Sequence, residues 1–423
     1  MGDNFDLDQF LFALRNNHTV QHVCFTGAFV RELTNDQWLQ MLEGVGHLVG
    51  LQQLQIWCST IPVCTFANLL KRAKMLQAIF FFHVKLDGTK DDFSDFSDVI
   101  RHHQRLREFR FGGIELIREA ISFDCVVEAL GEAEQMEVVT LQLMNGNRNN
   151  RFSGTALAKL ISSTTIQCLY LTRLGLGPEH YEAIIMAIET NKNIRVLDLF
   201  SNNIKNDQLI QIVQMLSSNN VLEMIVLPGL DDNEFNDKCS MAVSEMVKFN
   251  STLMSLYMPC SKFTDFGLVH LAESLSVNTA LKKVEIAVSN SIGEQGIAAL
   301  TKMLDKNYGL ERLVVDSNEK SIKSKIEYYM RLNAVGRGPL INSGQANRVE
   351  WVNMLVSVRD DLDCLFYFIS MNPTLCQFAN TDGADVIITE EFEVKYRRHS
   401  IADLFGVKQR SYVNRCENAF QIL

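Results

Sequence analysis

Several things are missing from this 423-residue chain, and each absence narrows the field. No run of 18 or more apolar residues occurs, so no transmembrane helix is expected. The opening "MGDNFDLDQFLFALRNN" has neither a basic n-region nor a long apolar h-region, so no signal peptide is expected and the location expected is cytoplasmic, with the nucleus open. The ten cysteines include no C-x-x-C pair, and no histidine cluster has zinc spacing. Free thiols in a reducing compartment follow, with no metal and no cofactor expected. Motifs for chemistry are missing too: no G-x-x-x-x-G-K-[ST], no G-x-S-x-G and no H-E-x-x-H occurs, so no enzyme is expected. Basic residues are outnumbered, 40 Lys and Arg against 50 Asp and Glu, which argues against a nucleic-acid or anionic-membrane surface.

What the chain has is a repeat. The pattern apolar-x-x-apolar-x-apolar begins at Ile166, Ile194, Leu222, Leu253, Leu281 and Leu310, at steps of 28, 28, 31, 28 and 29 residues. Looser members begin at Val20, Leu51, Leu76, Leu106 and Val138, for eleven units in all. Each unit then changes to helical periodicity, as where Leu209, Ile212, Val213 and Leu216 fall on one face. One strand and one helix cannot bury their apolar faces alone; stacked copies can. An asparagine stands three residues before the strand at Asn17, Asn191, Asn219, Asn250, Asn278 and Asn307. Because Asn tolerates the left-handed conformation that ends a helix, and its amide can satisfy freed carbonyls, it is read as the helix-to-strand corner.

These features, seen in "SIGEQGIAALTKMLDKNYGLERLVV" and "FTDFGLVHLAESLSVNTALKKVEI", resemble the leucine-rich repeat of the ribonuclease-inhibitor-like class, whose units run to about 28 residues. The resemblance implies an α/β solenoid, a horseshoe with parallel strands on its concave side and helices on its convex side. The nucleotide-binding module that accompanies such repeats in innate-immune receptors is missing from the sequence. An asparagine after the strand occurs at Asn202 and Asn318, but Ser59, Leu174, Leu230 and Ser289 stand at its equivalents, so a continuous ladder there is not expected. The domain plan is an N-terminal capping helix in 1–17, repeats over 18–320, a C-terminal helical cap over 321–371 and a tail over 372–423. "YYMRLNAVGRG" and "LFYFISMNPTLC" also resemble the C-terminal part of poorly characterised algal leucine-rich-repeat proteins, a likeness that implies no activity.

Side chains alternate along a strand, so positions three, five and seven of each unit face away from the helices. That places Trp57, Phe80, Phe82, Tyr170, Phe200, Met224, Tyr257 and Arg312 on the concave face. Aromatic and Arg side chains are the usual anchors of interfaces, so a protein or peptide partner is expected there. Two alternatives stay open. A slip of one residue would put Phe80 and Phe82 in the core, and the tail, with Phe392, Tyr396, Phe405 and Tyr412, could fold into the groove.

Other motifs have bland readings. Asp360, Asp361 and Asp363 suit the start of a helix better than a cation. His102 and His103 stand at a corner that Asn occupies elsewhere, and "VGRGPLINSG" reads as turns. Arg397 and Arg398 before Ser400 resemble a basophilic kinase site, the alternative being a solvated tail. The function expected is a non-enzymatic interaction scaffold; the alternative is a GTPase-activating protein resembling the Ran GTPase activator, which uses similar repeats.

Overall fold

The computed structural model describes residues 6–117, 122–143, 152–202, 204–227, 235–288, 292–316, 320–342 and 348–371. Two units are distinguished, Met1–Ser357 and Val358–Leu423. Among the described residues the first holds twelve strands in one parallel sheet: β1 (His22–Phe25), β2 (Gln53–Trp57), β3 (Thr60–Pro62), β4 (Ala78–Asp87), β5 (Glu108–Leu116), β6 (Val138–Leu143), β7 (Cys168–Thr172), β8 (Val196–Asp198), β9 (Met224–Val226), β10 (Ser255–Phe263), β11 (Lys283–Val288) and β12 (Arg312–Asp316). Its helices are α1 (Leu7–Arg15), α2 (Gly27–Arg31), α3 (Asn35–Val45), α4 (Val63–Arg72), α5 (Lys90–His102), α6 (Asp124–Glu132), α7 (Gly154–Ile161), α8 (Pro178–Thr190), α9 (Asn206–Ser218), α10 (Asp237–Phe249), α11 (Asp265–Leu275), α12 (Glu294–Lys306), α13 (Lys320–Ala334), α14 (Arg337–Asn342) and α15 (Arg348–Ser357).

Every strand but β3 pairs in chain order, through the register His22, Gln53, Ala78, Glu108, Val138, Cys168, Val196, Met224, Ser255, Lys283, Arg312. β3 pairs with the second half of β4. This is a leucine-rich-repeat solenoid. Steps between partners range from 25 residues (Gln53 to Ala78) to 31 (His22 to Gln53), so the period is not a uniform 28. One unit boundary moves. Val138 lies opposite Glu108 and Cys168, third positions of their units, so its unit starts at the buried Met136. The two-residue offset keeps Thr140 and Gln142 outward and Leu141 inward as expected, but turns Val138 from an inward first position into an outward third one.

The core lies between sheet and helices. Leu54, Ile79, Phe109, Val139, Leu169, Leu197, Ile225, Leu256 and Val284 form one continuous inward row, all at 0 or 1% exposure. In the units around β4 and β5 the filling is aromatic: Phe81, Phe109 and Phe111 interlock, with Phe109 and Phe111 ring centroids 4.4 Å apart and Phe66 and Phe96 entering from α4 and α5.

The corner asparagines form a ladder of their own. Asn278 Nδ2 donates to Val247 O (2.6 Å) and Asn250 O (2.9 Å) of the preceding unit, while its Oδ1 accepts from Ala280 N (3.0 Å) and Leu281 N (2.8 Å). Asn250 and Asn307 repeat all four bonds one unit to either side. The expected left-handed conformation is not adopted. Asn191, Asn219, Asn250 and Asn307 have φ between −85° and −68° with ψ between 112° and 134°. An extended residue already lets Oδ1 reach forward to the next two N–H groups, as in an Asx-turn, and leaves Nδ2 free to cross to the neighbouring unit. His103 fills the same place: Nδ1 accepts from Leu106 N (3.1 Å) and Nε2 donates to Ala73 O (3.2 Å). Burial pushes its pKa down, which keeps the ring neutral and preserves the Nδ1 acceptor.

The ladder ends on a residue read as part of a turn. Arg337 opens α14, is fully buried, and donates through one terminal guanidinium nitrogen to Leu304 O (2.7 Å) and Asn307 O (2.9 Å), the acceptor pair that a further Asn would take. Its guanidinium lies 4.8 Å from the Tyr308 ring centre and 4.7 Å from that of Tyr329. Asn333 adds bonds to Asn307 O and Leu310 O. At the other end Asp6 caps α1 by accepting from Gln9 N (3.0 Å), and Leu11 packs against Gly44 of α3.

In the second unit the described element is α16 (Leu362–Met371), whose first turn is capped by Asp361 accepting from Cys364 N (3.1 Å). Among the described residues no helix is long and apolar enough to cross a membrane.

Candidate interaction surface

The outward face of the sheet divides into three zones. On β2, β4 and β5 it is aromatic and half-exposed. Ile79 and Phe81 point fully into the core, so their neighbours Phe80 and Phe82 point out, which excludes the one-residue slip. Phe82 stacks on Trp57 of the adjacent strand, centroids 4.0 Å apart and planes 25° from parallel. Its other neighbour in the row is Gly112, where a Cβ would come within 2.8 Å of the Phe82 ring; glycine is what lets the ring lie flat across the strand. One row over, the Arg110 guanidinium sits 5.5 Å from the Phe80 ring centre and pairs with Glu108 at 2.5 Å. Lys85 and Glu115 pair beyond them at 3.0 Å. The side chains of Gln53, Gln55 and Trp57 make no hydrogen bond with any described residue.

The backbone beneath this zone, just past β2 and within β4 and β5, is held in an uncommon conformation. Directly after the third outward position, Cys58, His83 and Gly113 have φ of 50°, 55° and 80°, and Arg173 and Ser201 repeat this in β7 and β8 units at 52° and 57°. Non-glycine residues there cost about 1 kcal/mol each. The neighbouring bonds are Cys58 N to Phe82 O (2.8 Å) and Arg173 N to Phe200 O (3.1 Å), so one turn geometry is transmitted from unit to unit. In the β8 unit Asn202, fully buried, ties that turn down by donating to Leu171 O and Leu199 O and accepting from Leu174 N (2.8 Å).

Across β7, β8 and the end of β9 the face is withdrawn from solvent. Tyr170, expected as an exposed anchor, is 4% exposed and lies in register between Thr140 and Asp198; Cys168, Thr172, Val196 and Val226 are buried with it. The alternation that aims a side chain away from the helices does not by itself make it accessible. Asp198, 3% exposed, accepts from Phe200 N (2.8 Å), and burial of its carboxylate pushes the pKa up to about 6. Phe200 is half-buried at the end of this zone.

The third zone, on β9 to β12, is mixed: Met224 and Tyr257 are half-buried, Lys283 and Glu285 lie beside them, and Arg312 is exposed. The eight outward residues expected as anchors are therefore not one stripe. Trp57, Phe80 and Phe82 come together; Tyr170 is buried apart from them; Phe200, Met224, Tyr257 and Arg312 are spread over the remaining units. The participation of Gly112 was missed, although the doubled glycine in "FRFGG" marks a strand where something approaches the backbone. Ser400 and the tail aromatics Phe392, Tyr396, Phe405 and Tyr412 lie outside the described residues, as does Asn318. No group of three or more metal-ligating side chains is found among the described residues.

No family model matches the chain, and no curated protein matches it. Solved structures do. The leucine-rich repeat-containing protein LegL7 from Legionella pneumophila is 10% identical over 72% of this chain and 95% of its own, with a TM-score of 0.42. A chain of the yeast Rad7 and Elc1 complex is 14% identical over 74% of this chain and 85% of that one, with a TM-score of 0.39. The leiomodin-1 actin-binding site 2 is 20% identical, covering 40% of this chain and all of its own, at a TM-score of 0.34. Likenesses at this level say nothing about function.

Proposed function

We propose that this chain is a protein-binding module that performs no chemistry of its own and holds a protein or peptide partner in the cytoplasm on the outward face of its sheet. The observation that carries this reading is the zone on β2, β4 and β5, where Trp57, Phe80 and Phe82 stay half-exposed and adjacent. Aromatic side chains of this size gain most when a partner removes their remaining surface from water. They are also preorganised. Their strands are hydrogen-bonded on both sides within a parallel sheet, so little conformational freedom is lost on binding.

A photo-crosslinking amino acid placed at Gln55, within the zone, tests the reading against one placed at Met186, which is 71% exposed on α8. Adducts from a cell extract that form at position 55 and not at 186 support it. Adducts confined to 186 would move the binding surface to the helices. Hydrolysis by a panel of small GTPases is expected to stay unchanged on addition of the chain, whereas stimulation would favour the activator alternative.

A further inference from the structure

We infer that the segment taken by the zone on β2, β4 and β5 is an uncharged, proline-rich stretch of the partner in the polyproline II conformation, a deepening that rests on the reading of this face as a binding surface. Three modes of peptide recognition compete, and the side chains present separate them.

Addition of a strand needs an open sheet edge. Here β4 is bonded to both neighbours, so the face offers side chains and no free backbone. An amphipathic helix has its carbonyls bonded internally and would cover the donors of Gln53, Gln55 and the Trp57 indole without giving them partners; these three have none among the described residues. A polyproline II segment makes no internal hydrogen bonds, so its carbonyls are available to those donors, and its prolines bring no N–H that needs an acceptor. The rings of Trp57 and Phe82, stacked at 4.0 Å, form a flat platform of the kind on which proline rings pack.

Charge points the same way. The ions of the zone are already matched, Arg110 with Glu108 at 2.5 Å and Lys85 with Glu115 at 3.0 Å. Among the described residues of these strands a charged peptide would meet no unpaired counter-ion and would break one of these pairs to be neutralised. An uncharged peptide leaves both intact.

The test uses the full chain and a blocked peptide of Pro-Pro-Leu-Pro units, with three control peptides of equal length: an uncharged helix-former, a polylysine and a polyglutamate. Tryptophan emission reports occupancy of the site, because Trp57 is half-exposed while Trp38 and Trp351 are 3% and 8% exposed. The expected result is a blue shift that saturates with the proline-rich peptide alone, with affinity reduced about thirtyfold in Phe82→Ala. Gln55→Ala, a change at a half-exposed site that keeps the platform, is expected to weaken binding severalfold. No saturation by the proline-rich peptide up to about 1 mM, or equal affinity for intact chain and Phe82→Ala, overturns the inference. If a control peptide binds instead and Phe82→Ala abolishes it, the proline-rich inference falls while the binding surface stands. If partner adducts form at position 186 and not at 55, both fall.

Discussion

Replacing Asn278 by alanine removes one rung of the corner ladder, and the cost can be worked from its bonds. Asn278 is 6% exposed and makes four hydrogen bonds, two donated across to the preceding unit and two accepted from its own strand entry. Each such bond is worth about 0.5–1.5 kcal/mol net, and a buried group left unpaired costs about 1–3 kcal/mol. Partial relief by water entering the gap left by the amide brings the expected loss to about 3 kcal/mol. Asn219 makes three bonds in the same place, one donated to Ile188 O and two accepted, so Asn219→Ala is expected to cost less. Asn278→Asp is expected to cost more than Asn278→Ala at neutral pH, because it sets a carboxylate against Val247 O and Asn250 O in place of the two donors. Urea unfolding at equilibrium measures all three, read at the first transition, since repeat arrays need not unfold in one step. A loss under about 1 kcal/mol for Asn278→Ala, or the reverse order for the two asparagines, would refute the ladder as a source of stability.

Three further predictions concern buried polar groups. Asp198 has its pKa raised to about 6, against about 4 in the unfolded chain, so the native state holds a proton that the unfolded state releases in that window. Stability is therefore expected to fall as pH rises from about 4 to 6; Asp198→Asn should abolish the fall and stabilise the chain by up to about 3 kcal/mol at pH 7, and an unchanged pH dependence in urea midpoints would contradict this. The Tyr181 hydroxyl is buried without a hydrogen-bond partner among the described residues, so Tyr181→Phe is expected to raise stability by about 1 kcal/mol in the same assay, and a loss would show a missed partner. Arg337→Ala removes two hydrogen bonds and two ring contacts from the end of the ladder; hydrogen exchange is expected to rise in α12 and α13 first, and a uniform rise would argue against a local capping role.

The repeat was legible because its rule is simple: Leu281, Val284 and Ile286 are spaced for one strand face, and Leu300 and Leu304 for one helix face. Legibility fell where aromatic residues took over the core. Phe81, Phe109 and Phe111 fill the volume that leucines fill elsewhere, and Phe80 and Phe82, alternating with Phe81, carry no sign of which parity is buried; only packing decides it. Corner chemistry was half legible. Periodic asparagines marked the place, and His103 could be matched to it by position, but Arg337 stands outside the period and follows a left-handed Gly336, so it read as a turn. The binding face was the least legible. Strand alternation gives the direction of Tyr170 correctly and is silent on what else removes it from water.

The central claim is that Trp57, Phe80 and Phe82 anchor a partner on the outward face of the sheet. Calorimetric titration of the partner identified by crosslinking at position 55 tests it most directly, comparing the intact chain with Phe82→Ala and with Phe249→Ala, a control on α10 that is 60% exposed. The account predicts a loss of about 2 kcal/mol or more for Phe82→Ala and none for the control. Equal affinity in all three, or a loss confined to Phe249→Ala, would contradict it.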